Sequence, residues 1–328
     1  MRGAGADMSE ADLAPTTVTA PRIAATLAKT DVRKPRSRPK LKDTWWRHAV
    51  AIIAIVVALF PVIYIVSSAF NAQNNLQSAQ VIPSHVTLSH FHAIFHNDVI
   101  ANTGAKQDVP YPKWFLNSII IALSTAIATT ILGALAAYAF SRFRFKGRRV
   151  GMMFLLLIQM FPQFVAVAAI YLIVLNLGGV FPQIGLNKLA AIVIVYLGGA
   201  MGVQAWLMKG FFDTIPKELD ESARVDGATA AQIFWGVVLP LAAPVLAVVA
   251  LISFVFTLNE FVIASAILQT TDHLTLPVGM RQLISDQYDK TWGPFTAGAL
   301  LAALPVAALF MFLQRWIVSG LTGGAVKG

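Results

Sequence analysis

Phe211-Phe-Asp-Thr-Ile-Pro-Lys-Glu-Leu-Asp-Glu-Ser-Ala-Arg-Val-Asp-Gly-Ala-Thr-Ala-Ala-Gln-Ile-Phe-Trp-Gly-Val-Val-Leu-Pro240 is a polar interval between two long apolar runs, and its residues are ordered as a helix, a stop and a second helix. Pro216 suits the first turn of a short helix, where Glu218, Asp220 and Glu221 complement the positive end of its dipole. Gly227 supplies the stop. Thr229 followed by Gln232 reads as a capping box opening a second helix, which leads through Ile233, Phe234 and Val237 into the next apolar run at Pro240. The expected product is a helix–Gly–helix elbow, with small Ser222, Ala223 and Ala228 beside charged Glu221, Arg224 and Asp226. Small side chains let another surface approach closely, and the carboxylates of Glu221 and Asp226 can accept charge-assisted hydrogen bonds from it. Such an elbow either docks a partner or is a solvated hairpin held only by its own bundle. Both readings stand on the residues alone.

The elbow is short beside what surrounds it. Of the 328 residues, 57% are hydrophobic and only 12% charged, which leaves too little polar surface for a water-soluble globule and excludes disorder. A helix needs roughly 20 mainly apolar residues to cross a hydrocarbon core. Segments 46–70, 114–140, 150–175, 189–209, 238–268 and 295–318 meet that length, so six spans are expected. Helices are the default, since a barrel shows short alternating segments instead. For an even-numbered bundle, twenty of the 25 Lys and Arg fall on the side of the N-terminal tail, the 142–149 turn and the elbow. The remaining five are Lys106, Lys113, Lys188, Arg281 and Lys290. The positive-inside rule therefore puts the elbow and both termini in the cytoplasm.

That placement of charge also explains the formal net charge of +9 without nucleic acid, because the basic residues flank apolar runs and form no base-reading face. There is no cysteine, so disulfides, thiolate metal sites and Cys nucleophiles are excluded. No G-x-x-x-x-G-K-[ST] or G-x-G-x-x-G stretch occurs, so the chain is expected to hydrolyse no ATP and to be no enzyme. Residues 1–44 are rich in Ala, Pro, Thr and basic residues and are expected to form a disordered cytoplasmic tail near anionic headgroups. A cleaved signal peptide fits poorly, because the apolar run after it is long and no small-x-small site precedes it. The span at 45–70 leads to an external loop at 71–112 and a core at 113–318, with the elbow at 211–240 inside it. His85, His90, His92 and His96 lie in that external loop, where exposure is the expectation; the i, i+4 pair His92 and His96 lacks an acidic partner, and no metal site is assigned.

The segment Glu221-Ser-Ala-Arg-Val-Asp-Gly-Ala228, with Leu239-Pro240 beyond it, resembles the EAA loop of binding-protein-dependent ABC importer permeases. The family pattern is Glu-Ala-Ala, three residues, Gly and a later Leu-Pro pair; Ser222 stands where it has Ala, a swap that keeps the volume small. Further similarity lies in Tyr138-Ala-Phe-Ser-Arg-Phe-Arg-Phe-Lys-Gly147, Gln159-Met-Phe-Pro162, Ile184-Gly-Leu-Asn187, Tyr196-Leu-Gly-Gly199, Lys209-Gly-Phe-Phe-Asp-Thr-Ile215 and the ending 314–328. These look like the G-subunit branch of maltose/maltodextrin importers, and they run from the first span to the last residue. The resemblance implies the type I ABC importer permease fold, an all-α integral membrane protein of six transmembrane helices in a bacterial cytoplasmic membrane. It implies four kinds of partner: a second homologous permease, two ATPase subunits that hold ATP and Mg, an external solute-binding protein, and a sugar. Relatives for trehalose, other oligosaccharides or glycerol phosphate share most of these features. By the same resemblance Glu221, Ser222, Ala223, Arg224, Asp226, Gly227 and Ala228 would carry coupling to the ATPase.

Other residues have two readings each. Asn259 and Glu260 lie deep in the fifth span, where an ionisable group facing lipid costs at least about 2.5–3.5 kcal/mol, so Glu260 must face protein or a water-filled path. It serves either translocation or a structural hydrogen bond. Gln159 and Gln163 flank Pro162, where freed carbonyls at a kink or helix–helix glue would use them. Trp114, like Trp45, Trp46, Trp206 and Trp316, sits near a span end and is expected to anchor at the interface. By the resemblance, Thr271, Asp272, His273 and Thr275, with Arg281 and Gln282 beyond, would face the binding protein. Gly323, Gly324 and Lys327 belong to a Gly-rich tail at 319–328, expected to be flexible and to reach a cytoplasmic partner. A stand-alone secondary transporter is the rival, and it would need several buried acidic groups where Glu260 is the one clear candidate.

Overall fold

The computed structural model describes residues 41–72, 74, 83, 85–285 and 290–325, and these are almost entirely helical. Helix α1 (Leu41–Phe70) begins inside the predicted tail, so the last residues of that tail are helical rather than disordered. Residues 1–40 lie outside the described ones. By its contacts α1 belongs to two compact units, its residues up to Ala58 to one and those from Leu59 onward to the other, which holds every later element.

Three helices are long and apolar enough to cross a membrane unbroken, within α1, α3 (Tyr111–Arg142) and α12 (Trp292–Ala325). Three bent pairs raise the number to as many as six if each counts as one span. The first is α4 (Arg148–Met160) followed by α5 (Gln163–Val180), which meet at 103°. Pro162 is the cause, because it cannot continue the hydrogen-bond ladder and drives Phe161 to an extended ψ of 125°. The predicted third span is thus a break and not merely a kink. The second pair lies within α6 (Leu189–Phe212), whose halves meet at 51° between Gly199 and Gly202. The third joins α8 (Ala230–Leu241) to α9 (Ala243–Asn259) at 79°, where Pro244 in the first turn of α9 again withholds a donor.

The predicted fifth span therefore divides three ways. Its opening residues belong to the elbow helix α8, its middle is α9, and its end is the short α10 (Val262–Ile267), set off by an extended Glu260 at ψ 126°. Around α3 the bundle closes: α6 and α9 pack along it, α4 lies on α6, and α12 lies on α9. One core cluster gathers near the start of α3 around Tyr111, Trp114 and Leu276, and another near its end around Tyr138, Met208, Phe212, Ile233 and Phe234. At 1.5 Å per residue those ends are about 48 Å apart, enough to cross a bilayer. Phe154, Leu157, Ile173 and Met311 stand more than half exposed, a surface suited to lipid rather than water.

The segment expected to be an external polar loop is more ordered than that. It contains α2 (Ser89–His96) and a two-stranded hairpin of β1 (Val99–Ile100) and β2 (Lys106–Gln107). Lys106 pairs with Asp98 at 2.7 Å across the hairpin, and that hydrogen bond and charge hold the Asp98 carboxyl below its ordinary value. His90 is buried, against expectation, with Nε2 2.8 Å from the Asn71 carbonyl oxygen. His92 and His96 stack at 3.9 Å, and no cluster able to hold a metal occurs among the described residues. At the other end of the chain α12 continues through Gly320, Gly323 and Gly324 to Ala325, so most of the predicted flexible tail is helix. Lys327 lies outside the described residues.

Candidate functional site

The elbow forms as its residues dictate. Helix α7 (Lys217–Val225) follows Pro216 directly, with Glu218 and Asp220 in its first turn. It ends in a Schellman motif: Ala228 N–H donates to the Ala223 carbonyl at 2.9 Å and Gly227 N–H to the Arg224 carbonyl at 3.0 Å. Gly227 makes this possible at φ +83°, a left-handed conformation that other residues adopt only at a cost. Thr229 then caps α8, its hydroxyl accepting from Gln232 N–H at 3.3 Å while Gln232 Oε1 accepts from Thr229 N–H at 2.8 Å. Removing that hydroxyl in Thr229→Ala should cost about 1 kcal/mol. A lower midpoint in thermal unfolding of the purified chain, with the fold retained, would show it.

Two faces of the elbow differ. Ile233, Phe234 and Val238 are buried against α3 and α6, and half-buried Ala223 and Ala228 pack on the same cluster. Glu221, Ser222, Arg224, Asp226 and Gly227 are exposed, and Val225 is 88% exposed, too apolar to be left in water without reason. Within α8 a π-helical turn at Phe234–Val238 precedes Pro240, a local rewinding of the kind that often marks functional sites. The small residues thus divide: Ala223 and Ala228 seat the elbow on the bundle, while Ser222 and Gly227 belong to its free side.

What ties the elbow down is a pair from distant parts of the chain. Arg142, the last residue of α3, sets its Nε 2.8 Å from Asp220 Oδ2 on α7, with the two side chains only 2% and 4% exposed. Arg142 Nη2 also donates to the Ile215 carbonyl at 3.0 Å. In the sequence Asp220 suits the helix dipole and Arg142 the charge topology, and residues 78 positions apart give no local signal of pairing. Nearby, Asp213 accepts from Ser141 Oγ at 2.7 Å and from Lys209 Nζ. Partial burial alone would raise the Asp213 pKa, but the hydrogen bonds from Lys209 and Ser141 outweigh it and hold the carboxyl below 3.8. A depressed folded pKa stabilises above the unfolded value and is lost as pH falls through the folded one. Asp213 should therefore contribute fully at pH 5 to 7, and Asp213→Asn should leave the steepness of acid unfolding altered only below about pH 4.

The polar residues within the spans are arranged differently from the elbow. Glu260 caps α10: Oε1 accepts from Ile263 N–H at 2.8 Å and Oε2 from Ala264 N–H at 3.0 Å, and the Tyr196 hydroxyl of α6 donates to Oε2. Its carboxylate holds a helix break and ties it to a neighbouring helix. Asn259 donates to the Val255 carbonyl at 2.8 Å and opens onto an apolar groove of about 760 Å³ between α9 and α12. Gln159 donates to the Gly199 carbonyl of α6, while Gln163 opens α5 with its side chain outside the described ones. Gly202 brings α6 against α4, since an added Cβ would lie 2.7 Å from the Leu155 carbonyl oxygen.

The connection after α10 is clamped to the start of α3. Trp114 Nε1 donates to the Thr271 carbonyl at 2.7 Å, Asn117 Nδ2 to the Asp272 and Leu274 carbonyls at 3.0 Å, and Lys113 pairs with Asp272 at 2.8 Å. Trp114 is fully buried and so is no interfacial anchor. Thr275 is 4% exposed and cannot present a side chain for docking as expected; Asp272 is exposed, and Thr271 and His273 are half-buried. Beyond it, α11 (Leu276–Ser285) lies on α3 and α12 and carries Arg281 over the Phe261 ring at 5.3 Å.

The profile of the family described as "Binding-protein-dependent transport system inner membrane component" matches residues 129–323. The galactooligosaccharides transport system permease protein GanQ of Bacillus subtilis is 39% identical over 279 residues, covering 85% of this chain and 93% of that one. The maltose/maltodextrin transport system permease protein MalG of Photorhabdus laumondii is 36% identical over 293 residues, covering 88% and 98%. The maltodextrin transport system permease protein MdxG of Bacillus subtilis is 37% identical, covering 83% and 92%. Among solved structures, a chain of a bacterial ABC transporter involved in import of the acidic polysaccharide alginate superposes with a TM-score of 0.67 at 23% identity, over 86% of this chain and 99% of that one.

Proposed function

Because the chain belongs to the family of binding-protein-dependent transport system inner membrane components, we propose that it is one of two permease subunits of an ATP-driven sugar importer. It is a multi-pass membrane protein, and in this reading it spans six times with both ends and the elbow in the cytoplasm. Two ATPase subunits would hold ATP and Mg beneath it, and an external binding protein would deliver a maltodextrin, galactooligosaccharide or related sugar. The observation that carries the reading is the elbow: a capped helix–Gly–helix unit whose inner face is packed on the bundle and whose outer face, with Glu221, Arg224, Val225 and Asp226, is exposed.

The mechanism follows from that arrangement. Closure of the ATPase dimer would push on the outer face of α7. Through the Arg142–Asp220 pair the push reaches the end of α3, and through α8 it reaches α9 at the 79° bend. The hinges at Pro162, at Gly199–Gly202 and at Glu260 then let the spans change inclination without breaking the packed cluster around Tyr138 and Phe234. Asp272 and its neighbours on the connection after α10 are proposed to meet the binding protein. The chain itself converts motion into access.

Gentle detergent purification through a tag ahead of Asp43, followed by mass spectrometry of co-purifying proteins, tests this. Recovery of a second permease and two ATPase copies at fixed stoichiometry is the expected result. Recovery of this chain alone, after cross-linking as well, would overturn it and favour a stand-alone transporter.

A further inference from the structure

Three of the broken or bent spans converge on one small cavity. It has a volume of about 240 Å³ and takes its polar lining from Gln159 before the Pro162 break, Tyr196 and Gln204 on either side of the α6 bend, and Ser253 and Thr257 of α9. Non-helical backbone is tolerated at membrane depth only where protein buries it or where it lines a polar cavity, and discontinuous helices commonly frame substrate sites. Gln204 is 8% exposed, and its Oε1 has no hydrogen-bond partner. A buried amide left so in the middle of a span is costly unless something enters to use it.

The chemistry of the lining narrows the occupant. No Lys or Arg lines the cavity, so an anion would find no countercharge. The nearby carboxylate of Glu260 is occupied by two backbone donors and the Tyr196 hydroxyl, so a cation gains little. An apolar molecule would leave Gln204 unpartnered. What remains are neutral groups that both donate and accept, two amides and three hydroxyls, beside the ring of Phe256, which is 58% exposed on the cavity wall. Gln159, Tyr196 and Ser253 already bond to Gly199, Glu260 and Thr129, which leaves Gln204 the group with an unused acceptor. The volume holds about eight waters at ~30 Å³ each, which suits one sugar ring rather than an oligosaccharide. We infer that this cavity is a binding site in the permease for a single ring of a neutral sugar, with Gln204 as its principal hydrogen-bonding group. The inference rests on the sugar-importer reading and names a place where this subunit touches the substrate.

The chain has no native cysteine, so Val203→Cys on the cavity wall, where Val203 is 49% exposed, provides a single reporter thiol. Membranes containing the assembled importer are labelled with a maleimide in the presence of maltotriose or galactotriose, and uptake of the same sugars is recorded in parallel. The transported sugar should slow labelling at least about fivefold, and the protection should disappear in V203C with Gln204→Leu. Uptake without any protection would overturn the site while leaving the importer reading intact. Protection that persists undiminished in Gln204→Leu would also overturn it, because the thiol would then be reporting a global conformational change. Absence of uptake, together with recovery of this chain free of partners, would instead remove the importer reading on which the site depends.

Discussion

Gly227→Pro should reduce sugar uptake to below about a hundredth of the unsubstituted level while the protein still reaches the membrane. Proline fixes φ near −65°, whereas position 227 sits at +83°, and it removes the N–H that donates to the Arg224 carbonyl. Both bonds of the Schellman motif would go, and the angle between α7 and α8 with them. The cause would be the backbone and not crowding, since a Cβ at this position meets nothing within 4 Å. Substitutions should therefore rank by tolerance of the left-handed region. Gly227→Asn should retain most uptake, Gly227→Ala should lose about 1–2 kcal/mol of local stability, and Gly227→Pro should be inactive. Uptake assays in membrane vesicles at matched protein levels provide the check; normal transport by the Pro variant would sink the proposal that the elbow passes the ATPase push to α3 and α9.

Arg142→Ala or Asp220→Ala should be nearly as damaging for a different reason. Each leaves a charge buried without its partner, a loss of about 3–5 kcal/mol when an ion pair this enclosed is broken from one side. The remaining charge would have to reach water by lifting α7 off the end of α3. A lower thermal midpoint and loss of uptake are expected in both variants. The double substitution Arg142→Met with Asp220→Leu separates stability from transmission, because an apolar pair of similar volume can restore packing without the directional contact between α3 and the elbow. Stability should return and uptake should stay low. Return of both would assign the pair to stability alone.

Much of the elbow could be read directly, because its signals are local. A proline ahead of an acidic first turn, a glycine stop and a Thr–Gln capping box each act over no more than about five residues of chain, and the backbone obeys them. The apolar runs were legible for the same kind of reason, since their length follows from hydropathy alone, but the bends that interrupt three of the six expected spans were not. Site residues were a different matter. For Glu260 the residue type demands protein or a water-filled path around it, but its partners Tyr196, Ile263 and Ala264 come from a neighbouring helix and from the break itself, which spacing along the chain does not reveal. Trp114 is expected at the interface from its place near a span end and Thr275 at a docking surface from the family resemblance, and both are buried because the connection after α10 folds back onto α3.

By itself, then, the sequence determined that this is a membrane-embedded helical chain bearing a capped helix–Gly–helix elbow and a family signature around Glu221 and Gly227. Those properties depend on composition and on interactions between residues close in the chain. Only the tertiary structure decided that Arg142 buries its charge against Asp220, that Pro162 breaks a span outright, that the carboxylate of Glu260 is occupied in capping α10, and that Gln159, Gln204, Ser253 and Thr257 share one cavity. Each of those depends on which helices become neighbours. In lipid, polar groups must find partners inside the protein, and the partners they find are set by packing across the bundle and not by spacing along the chain.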